Sequence, residues 1–279
     1  MRPLPEQTIL VTGATDGLGR AVATELARAG ATVLLHGRDD AKGAQTVAEI
    51  RERTGNDALS FYRCDYASLS DVLAMTQRII ADQDELHTLV NNVGIGTVLP
   101  GGEERLESQD GYELRFQVNY LGAYALTRAL LPLVTGSAPA RIVNVTSVGQ
   151  MPIDFDDVML EQRYSGVRAY CQSKLADVML TFDLADELAG SDVTANCLHP
   201  ASFMPTKMVL AARGHASSTL EEGVEATMRL IADPELDGLS GRYFNGLQRS
   251  RANPQAYDVD SRRRLRELSE QLLARAAQS

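Results

Sequence analysis

The stretch AYCQSKLADVML, residues 169–180, places Tyr170 and Lys174 four positions apart in a segment whose pattern predicts a helix. Residues four apart on a helix lie one turn from each other on the same face. A free phenol has a pKa of about 10 and is therefore a poor proton shuttle at neutral pH. Because a cation one turn away favours the phenolate, this pair is typical of a tyrosine that does acid–base chemistry.

A glycine-rich turn near the N-terminus is the second feature with chemical meaning. VTGATDGLGR, residues 11–20, joins an apolar stretch to a helical one and carries Gly13, Gly17 and Gly19. Glycines there let the backbone turn tightly and approach a pyrophosphate at the N-terminus of the helix. The spacing G-x-x-x-G-x-G differs from the usual G-x-G-x-x-G, and three glycines also suit a tight corner. Its position after the first strand nevertheless predicts a dinucleotide site.

The end of the second predicted strand should lie beside the ribose of such a cofactor. It reads LLHGRDD, in which Gly37 ends the strand and Arg38 follows. An arginine pairs with a 2′-phosphate, whereas an acid bonds to a 2′-hydroxyl. Arg38 therefore favours NADP(H) over NAD(H). Two alternatives stay open, since Asp39 and Asp40 are next in the chain and Arg38 also suits a solvated turn.

Short β-branched runs alternate with amphipathic helical segments along almost the whole chain. Apolar strands separated by helices indicate a parallel sheet covered on both faces. We therefore predict a doubly wound, Rossmann-like α/β sheet in a single domain, residues 1–279. The predicted strands are 8–13, 32–37, 59–65, 87–94, 141–147, 193–200 and 241–246. The predicted helices are 18–30, 40–55, 68–83, 109–133 and 168–189, and residues 261–279 read as a solvated helix face.

The composition argues against several other classes of protein. Hydrophobic residues make up 44% and charged residues 23% of the 279, as is usual for a globular chain. A net charge of −10 without a basic stripe argues against nucleic acid as a partner. The three cysteines and four histidines are scattered, so we expect no metal site and a reducing compartment. Without a signal peptide or a long apolar run, we expect a cytoplasmic protein with no membrane span.

Taken in order, the glycine turn, NNVG at 91–94 and the Tyr170/Lys174 pair resemble the short-chain dehydrogenase/reductase family over essentially the whole chain. The resemblance implies hydride transfer between NAD(P)(H) and a carbonyl or alcohol carbon. It implies that Tyr170 exchanges a proton with the substrate oxygen and that Ser147 donates a hydrogen bond to that oxygen. It further implies that Lys174 assists Tyr170 and holds the nicotinamide ribose, and that the backbone carbonyl of Asn119 holds a water in the proton relay.

The same resemblance implies a set of cofactor-binding residues at the strand ends. Asp65 matches the acid that bonds to the adenine amino group, and Asn91 matches the asparagine that supports the sheet and lines the groove. The full set is Gly13, Thr15, Asp16, Gly17, Leu18, Gly19, Arg38, Asp65, Tyr66, Asn91, Val93, Gly94, Tyr170, Lys174, Pro200 and Thr206. Taken singly, many of these also suit a helix cap, a strand end or a packed aromatic. Their joint occurrence favours the enzyme.

The link between Ser147 and Tyr170 indicates which branch of the family the chain resembles. Residues 148–169 are longer than the link of compact members, and with the HP dipeptide at 199–200 they resemble the retinol-dehydrogenase-like branch. That branch implies lipophilic ketones, aldehydes or alcohols as substrates. The insert is predicted either to line the substrate pocket, through Met151, Ile153 and Phe155, or to be a surface loop.

The segment after the sixth predicted strand departs from the family pattern. The family follows its proline with glycine, whereas Ala201 stands here, and Thr206 matches a threonine a few residues on. Residues 202–223 should lie beyond the carboxyl end of a strand, where ligands bind in this architecture. We interpret them as a mobile lid over the substrate, and a packed helix is the equal alternative.

Quaternary structure and the competing functions follow from the same resemblance. Family members commonly pair through two long helices, here 109–133 and 168–189, so we expect a homodimer or homotetramer unless the chain's own core uses those apolar faces. The alternative to an enzyme is a catalytically idle NAD(P)-binding scaffold or regulator, which the presence of both Tyr170 and Lys174 disfavours. Dehydration or epimerisation of a nucleotide sugar would need a larger C-terminal domain than this chain has.

Overall fold

The computed structural model describes residues 1–98, 104–206, 209–210 and 214–278. The strands are β1 Thr8–Val11, β2 Thr32–Gly37, β3 Leu59–Arg63, β4 Thr88–Asn91, β5 Ala140–Val145, β6 Val193–His199, β7 Arg242–Asn245 and β8 Gln248–Ser250. They form one sheet in the order β3-β2-β1-β4-β5-β6-β7-β8, parallel except for the last pair. The strand order reverses between β1 and β4, and such a reversal is where doubly wound sheets bind their ligands.

Helices cover both faces of this sheet. They are α1 Gly17–Arg28, α2 Asp40–Thr54, α3 Leu69–Asp82, α4 Gly122–Gly136, α5 Gly166–Glu187, α6 Leu220–Ala232 and α7 Val259–Ala276, with a π-helix, Phe116–Leu121, directly before α4. One apolar core lies under α1, α2 and α6, and the other lies under α3, α4, α5 and α7. The prediction of a doubly wound α/β fold is thus confirmed. No described helix is both long and apolar enough to cross a bilayer.

The central strands are apolar throughout because each of their faces meets a core. In β1, Leu10 belongs to the core on one face, while Ile9 and Val11 belong to the core on the other. All three are fully buried. Successive side chains of a strand point to opposite faces, so burial on both faces requires an unbroken apolar run.

Three elements differ from the prediction, and one of them, α6, was not predicted as a separate helix. The helix predicted from residue 109 begins only at Leu114, because residues 108–112 form a turn, in which the Ser108 N–H donates to the Tyr112 carbonyl at 2.8 Å. The antiparallel strand β8 was not predicted. It is short, polar and exposed, so it carries no apolar alternation, and it follows β7 through a turn at Gly246 with φ of +56°.

The C-terminal helix α7 is not simply a solvated face. Leu265 and Leu272 are buried, and the Tyr120 and Ser269 hydroxyls lie 2.7 Å apart. Arg266 pairs with Asp183 of α5 at 2.5 Å. This helix therefore covers part of α5 and of the π-helix. The chain's own core thus uses part of the faces that the predicted homodimer or homotetramer would need, and subunit pairing stays a prediction.

Candidate active site

The glycine turn closes tightly onto the neighbouring strand end. Gly13 and Gly17 have φ of +66° and +49°, in the left-handed region that glycine adopts without strain. A Cβ atom on Gly19 would lie inside 3.0 Å of the Gly13 carbonyl oxygen and of the Asn92 Nδ2 atom. Asn92 in turn donates to the Thr12 carbonyl at 2.8 Å. Glycine at these positions thus lets the N-terminus of α1 approach the sheet.

His36, which the sequence analysis did not single out, anchors this turn. Its Nδ1 atom accepts from the Gly13 N–H at 3.1 Å, and its Nε2 atom lies 3.1 Å from the Cys64 carbonyl. These partners require the neutral tautomer with the proton on Nε2. His36 is 3% exposed, and burial lowers its pKa to about 4. The sequence signal for this anchoring role is a single histidine within the otherwise apolar run of β2.

We expect the free energy of unfolding to decrease by about 3 kcal/mol through His36 as the pH falls from 6.5 to 4. In this window the unfolded chain binds a proton at His36 and the folded protein does not, so protons favour unfolding. Denaturant titrations of wild type and His36→Asn at stepped pH measure the difference.

His199→Asn is the matched control, because burial also lowers the pKa of His199 to about 4. Its Nε2 atom bonds to the Ser202 hydroxyl and not to the glycine turn. In both variants the free energy of unfolding should depend less on pH than in wild type. Only His36→Asn should also weaken the binding of NADPH. Equal pH dependence in wild type and His36→Asn would contradict the prediction.

The residues after β2 surround the expected position of the ribose. Arg38 is exposed. Asp39 caps α2 by accepting from the Lys42 N–H at 2.8 Å, while Asp40 lies in the first turn of that helix. The Lys42 Nζ atom lies 2.8 Å from the Asp16 carboxylate of the glycine turn. Of the two acids beside Arg38, one is therefore used as a helix cap, and a second cation lies nearby.

The side chains of several predicted cofactor residues have structural roles. Tyr66 is 3% exposed and stacks on His36 with ring centroids 4.9 Å apart, and Leu18 is buried under the sheet. The backbones of these two residues are therefore what could contact a cofactor, and their cofactor-binding role stays a prediction. The Asp65 Oδ1 atom accepts from the Ala67 N–H at 3.0 Å.

Thr15 and Val93 lie at the same edge of the sheet. A Cβ atom on Gly37 would come inside 3.0 Å of the Thr15 methyl group, so Thr15 packs on the end of β2. The Val93 N–H donates to the Thr12 hydroxyl at 3.2 Å. These contacts bring the segment after β4 against the turn after β1.

Asn91 ties the middle of the sheet to the helix layer. Its Nδ2 atom donates to the Thr127 hydroxyl at 2.9 Å and to Asn144 Oδ1 at 2.8 Å. The residue is 5% exposed. The side chain therefore links β4, β5 and α4 beneath the crevice.

Three predicted site residues meet where β4 and β5 end. The Lys174 ammonium donates to the Val145 carbonyl at 3.1 Å and to the Asp177 carboxylate at 2.9 Å. A Cβ atom on Gly94 would lie 3.5 Å from the Lys174 Nζ atom and 3.7 Å from the Asn119 Oδ1 atom. The bare backbone of Gly94 therefore leaves space directly in front of the ammonium.

Asn119 lies in the π-helix, which the sequence predicted as ordinary helix. Its Oδ1 atom accepts from the Ile95 N–H at 2.7 Å, and its Nδ2 atom donates to the Ser173 hydroxyl at 2.9 Å. It thus joins the segment after β4 to α5. Single π-helical turns inside helices are frequent at functional sites.

Ser147 and Tyr170 flank Gly149. A Cβ atom on Gly149 would lie 3.4 Å from the Ser147 hydroxyl oxygen and 3.6 Å from a ring carbon of Tyr170. Ser147 is 6% exposed, and Tyr170 is half-buried. Tyr243, which the sequence analysis did not identify, donates from its hydroxyl to the Ser147 carbonyl at 3.2 Å. The serine and the tyrosine thus both lie beside Gly149, just after the end of β5.

The segment after β6 reaches the glycine turn. A Cβ atom on Gly17 would lie 3.3 Å from the Thr206 methyl group, so Thr206 lies against the start of α1. Pro200 is buried at the end of β6, and Met204 is 8% exposed and packs in the core. Of the predicted lid, residues 207, 208 and 211–213 lie outside the described residues. The described part includes this packed methionine and the start of α6.

The insert is fastened to the C-terminal part of the chain. Ile153 is 4% exposed, and its N–H donates to the Gln255 side chain at 2.6 Å. The ring of Phe155 lies 4.6 Å from the guanidinium of Arg264 on α7. Met151 is 40% exposed. Ile153 and Phe155 therefore pack inside the protein, and of the three predicted pocket residues only Met151 has a largely open side chain.

A glycine-rich turn at the strand reversal of a doubly wound sheet, with a serine, a tyrosine and a lysine beside it, defines a dinucleotide-dependent oxidoreductase. Residues 7–216 match the family described as short chain dehydrogenase, and the chain belongs to this family. It is an NAD(P)-dependent dehydrogenase/reductase of the retinol-dehydrogenase-like branch, acting on CH–OH groups. The recognition of the family, the branch and the enzyme class from the sequence is thus confirmed.

Curated and solved relatives agree with this assignment. Human retinol dehydrogenase 13 is 35% identical over 94% of this chain and 83% of its own length. An uncharacterized protein from Mycobacterium paratuberculosis superposes with a TM-score of 0.77 at 30% identity, covering 96% of this chain and 94% of its own. A short chain dehydrogenase from Escherichia coli CFT073, solved with NADPH, has a TM-score of 0.71 at 28% identity, covering 87% and 97%.

Proposed function

We propose that this enzyme interconverts a carbonyl and an alcohol on a lipophilic small molecule with NADP(H), and that Tyr170 is the general acid and base. The observations that carry the proposal are the contacts of two glycines. A Cβ atom on Gly94 would lie 3.5 Å from the Lys174 Nζ atom, and a Cβ atom on Gly149 would lie beside both the Ser147 hydroxyl and the Tyr170 ring. Residues 148–169 and the described residues of the predicted lid would form the outer border of the substrate pocket.

The chain's residues fit a nicotinamide dinucleotide. The glycines of the first turn let the N-terminus of α1, where backbone N–H groups favour a pyrophosphate, approach the end of the sheet. An ammonium has three N–H donors, and Lys174 uses two of them on Val145 and Asp177. The third is available to a ribose hydroxyl in the space before Gly94. The bound cofactor would supply or accept the hydride.

The protein side of the reaction is proton transfer and charge stabilisation. In reduction, the Tyr170 hydroxyl gives its proton to the substrate oxygen; in oxidation, the same oxygen takes the proton back. The Ser147 hydroxyl donates a hydrogen bond to the substrate oxygen, where negative charge develops. Asn119 holds the segment after β4 against α5, which keeps both walls of the site in place.

Arg38 supports a preference for NADP(H), since a guanidinium binds a phosphate through paired hydrogen bonds. We expect Arg38→Ala to weaken NADPH binding by about 10- to 100-fold and to change NADH binding by less than about 3-fold. Titrations that follow nicotinamide fluorescence measure both. Arg53→Ala, at an exposed position at the end of α2, is the control. Equal losses for both cofactors would refute a phosphate contact.

A lipophilic substrate is supported by the apolar side chains beside the serine. Val148, which follows Ser147, is 51% exposed, and Met151 is 40% exposed. The curated relative described above is named for retinol, a lipophilic alcohol.

The test of the proposed function is NADPH consumption with retinaldehyde and with a small polar aldehyde. We expect kcat/KM to be at least about 10-fold higher for retinaldehyde, because its apolar chain adds buried area. Binding of NADPH without turnover of any carbonyl compound or alcohol would instead support the idle scaffold. A preference for the polar aldehyde would overturn the lipophilic substrate class alone.

A further inference from the structure

A buried carboxylate lies directly behind the lysine of the site. Asp177 is on α5, three residues after Lys174, and is 4% exposed. Its Oδ2 atom accepts from the Lys174 ammonium at 2.9 Å. Buried aspartates are rare unless they are paired, and a buried ion pair is weak as a source of stability. Stability alone therefore does not account for this buried carboxylate.

We propose that Asp177 is a positioning residue of the proton-transfer site: its carboxylate holds the Lys174 ammonium at the end of β5 and sets the positive charge that this ammonium presents to Tyr170. This inference rests on the proposed function, in which Tyr170 transfers the proton. Asp177 acts through Lys174 in this scheme.

The anchoring role follows from the flexibility of lysine. A lysine head group rides on a long stem of rotatable bonds, so a single neutral acceptor leaves its position poorly defined. Val145 supplies such an acceptor at 3.1 Å, and Asp177 adds a charged one at 2.9 Å. Two anchors orient the third N–H donor. Without Asp177 the ammonium would keep only the carbonyl.

The charge-setting role follows from burial. The side chains of Lys174 and Asp177 are 5% and 6% exposed, so water screens their charges weakly. Cys197 faces Asp177 from β6 and Tyr120 faces it from the π-helix, and burial raises the pKa of both above their ordinary values. Both are therefore neutral at physiological pH. Lys174 lowers the pKa of Asp177, but burial outweighs it and raises that pKa to about 6.

The expected direction of the effect can be worked out from these charges. Above about pH 6 the carboxylate opposes the ammonium, and the pair presents little net charge to Tyr170. Tyr243 faces Tyr170 from β7, and burial raises its pKa, so it adds no charge. Replacing Asp177 by asparagine preserves the size and an acceptor oxygen but leaves the ammonium unopposed. An unopposed cation favours the phenolate.

The magnitude follows from the spacing on the helix. Seven residues separate Tyr170 from Asp177, which is about 10 Å along the axis. A unit charge at that distance, at an effective dielectric constant of about 20, corresponds to about one pH unit. In Asp177→Asn, the midpoint of the pH profile of kcat/KM for alcohol oxidation should therefore move about one unit lower.

The control is Asp183→Asn on the same helix. Asp183 pairs with Arg266 of α7 at 2.5 Å and lies six positions further along α5 than Asp177. The midpoint of the pH profile of Asp183→Asn should stay within about 0.2 pH units of the wild-type midpoint. The reason is that Asp183 lies nearly two helical turns further from Tyr170 than Asp177 does. An Asp177→Asn profile that superimposes on wild type would overturn the inference. Should Asp177→Asn fail to fold, Asp177→Ser, which also removes the charge, replaces it with the same expected shift.

A second readout needs no turnover. Phenolate absorbance is titrated in the cofactor-free protein with and without Tyr170→Phe, so that the difference reports Tyr170 alone. The same pair of titrations in the Asp177→Asn background should show ionisation about one pH unit lower. Absence of turnover together with this shift would refute the proposed function but would support the electrostatic effect of Asp177 on Tyr170. Turnover without the shift would refute the role of Asp177 alone.

Discussion

Tyr170→Phe is expected to lower kcat by about 10³-fold in both directions while NADPH affinity changes by less than about 2-fold. The substitution removes one oxygen atom and leaves the ring beside Gly149, so the shape of the site is kept. Without the hydroxyl, the substrate oxygen must exchange its proton with water. Steady-state rates with NADPH and a turned-over carbonyl compound, together with fluorescence titration of the cofactor, measure both effects.

Tyr112→Phe is the matched control for this variant. The Tyr112 hydroxyl donates to the Leu272 carbonyl at 2.9 Å and links the turn before the π-helix to α7. Its loss should cost about 1 kcal/mol of stability and leave kcat unchanged. If Tyr170→Phe retained more than about a tenth of the wild-type rate, another group would have to be the general acid.

Gly19→Ala should lower the free energy of unfolding by about 3 kcal/mol and weaken NADPH binding by at least about 100-fold. The new methyl group would lie inside 3.0 Å of the Gly13 carbonyl and of the Asn92 amide. Both groups are held in place, since Asn92 is bonded to Thr12 and the Gly13 N–H is bonded to His36. The turn must therefore open, which moves the N–H groups that would bind the pyrophosphate.

Gly136→Ala distinguishes this effect from a general sensitivity to substitution. Gly136 ends α4, and an added Cβ atom would have no heavy atom within 4 Å among the described residues. We expect this variant to be as stable as wild type or more stable by less than about 1 kcal/mol, with NADPH binding unchanged. Wild-type binding of NADPH by Gly19→Ala would mean that the glycine turn is not the pyrophosphate site.

Much of the fold could be predicted from local patterns. Burial on both faces leaves an unbroken apolar run in the sequence, which is why β1, β2 and β5 were predicted within two residues of their ends. The glycine turn was equally predictable, because a left-handed backbone and the close approach of α1 to the sheet both require glycine. The spacing of Tyr170 and Lys174 predicts that both lie on one face of a helix, because a separation of four residues is about one helical turn.

The supporting residues of the site were not predictable in this way. His36 and Tyr243 make contacts with residues that lie far away in the chain, while Asp177 lies one helical turn from Lys174 and takes its properties from burial. A histidine in a strand or an aspartate in a helix has no distinctive spacing. Its role depends on which atom it meets in the folded chain, and burial, which changes the charge of His36 and Asp177, is likewise a tertiary property.

The chain alone thus specified the parallel strands of the sheet, their doubly wound arrangement and the family, because these leave local patterns of apolar spacing and glycine, while the predicted site residues stay a prediction. The tertiary structure decided which helices and side chains pack on which other elements. It placed α7 over α5 and the π-helix, packed Ile153 and Phe155 against the core, and set the imidazole of His36 against the glycine turn. Long-range packing is a competition among many apolar surfaces, and no single segment encodes its outcome.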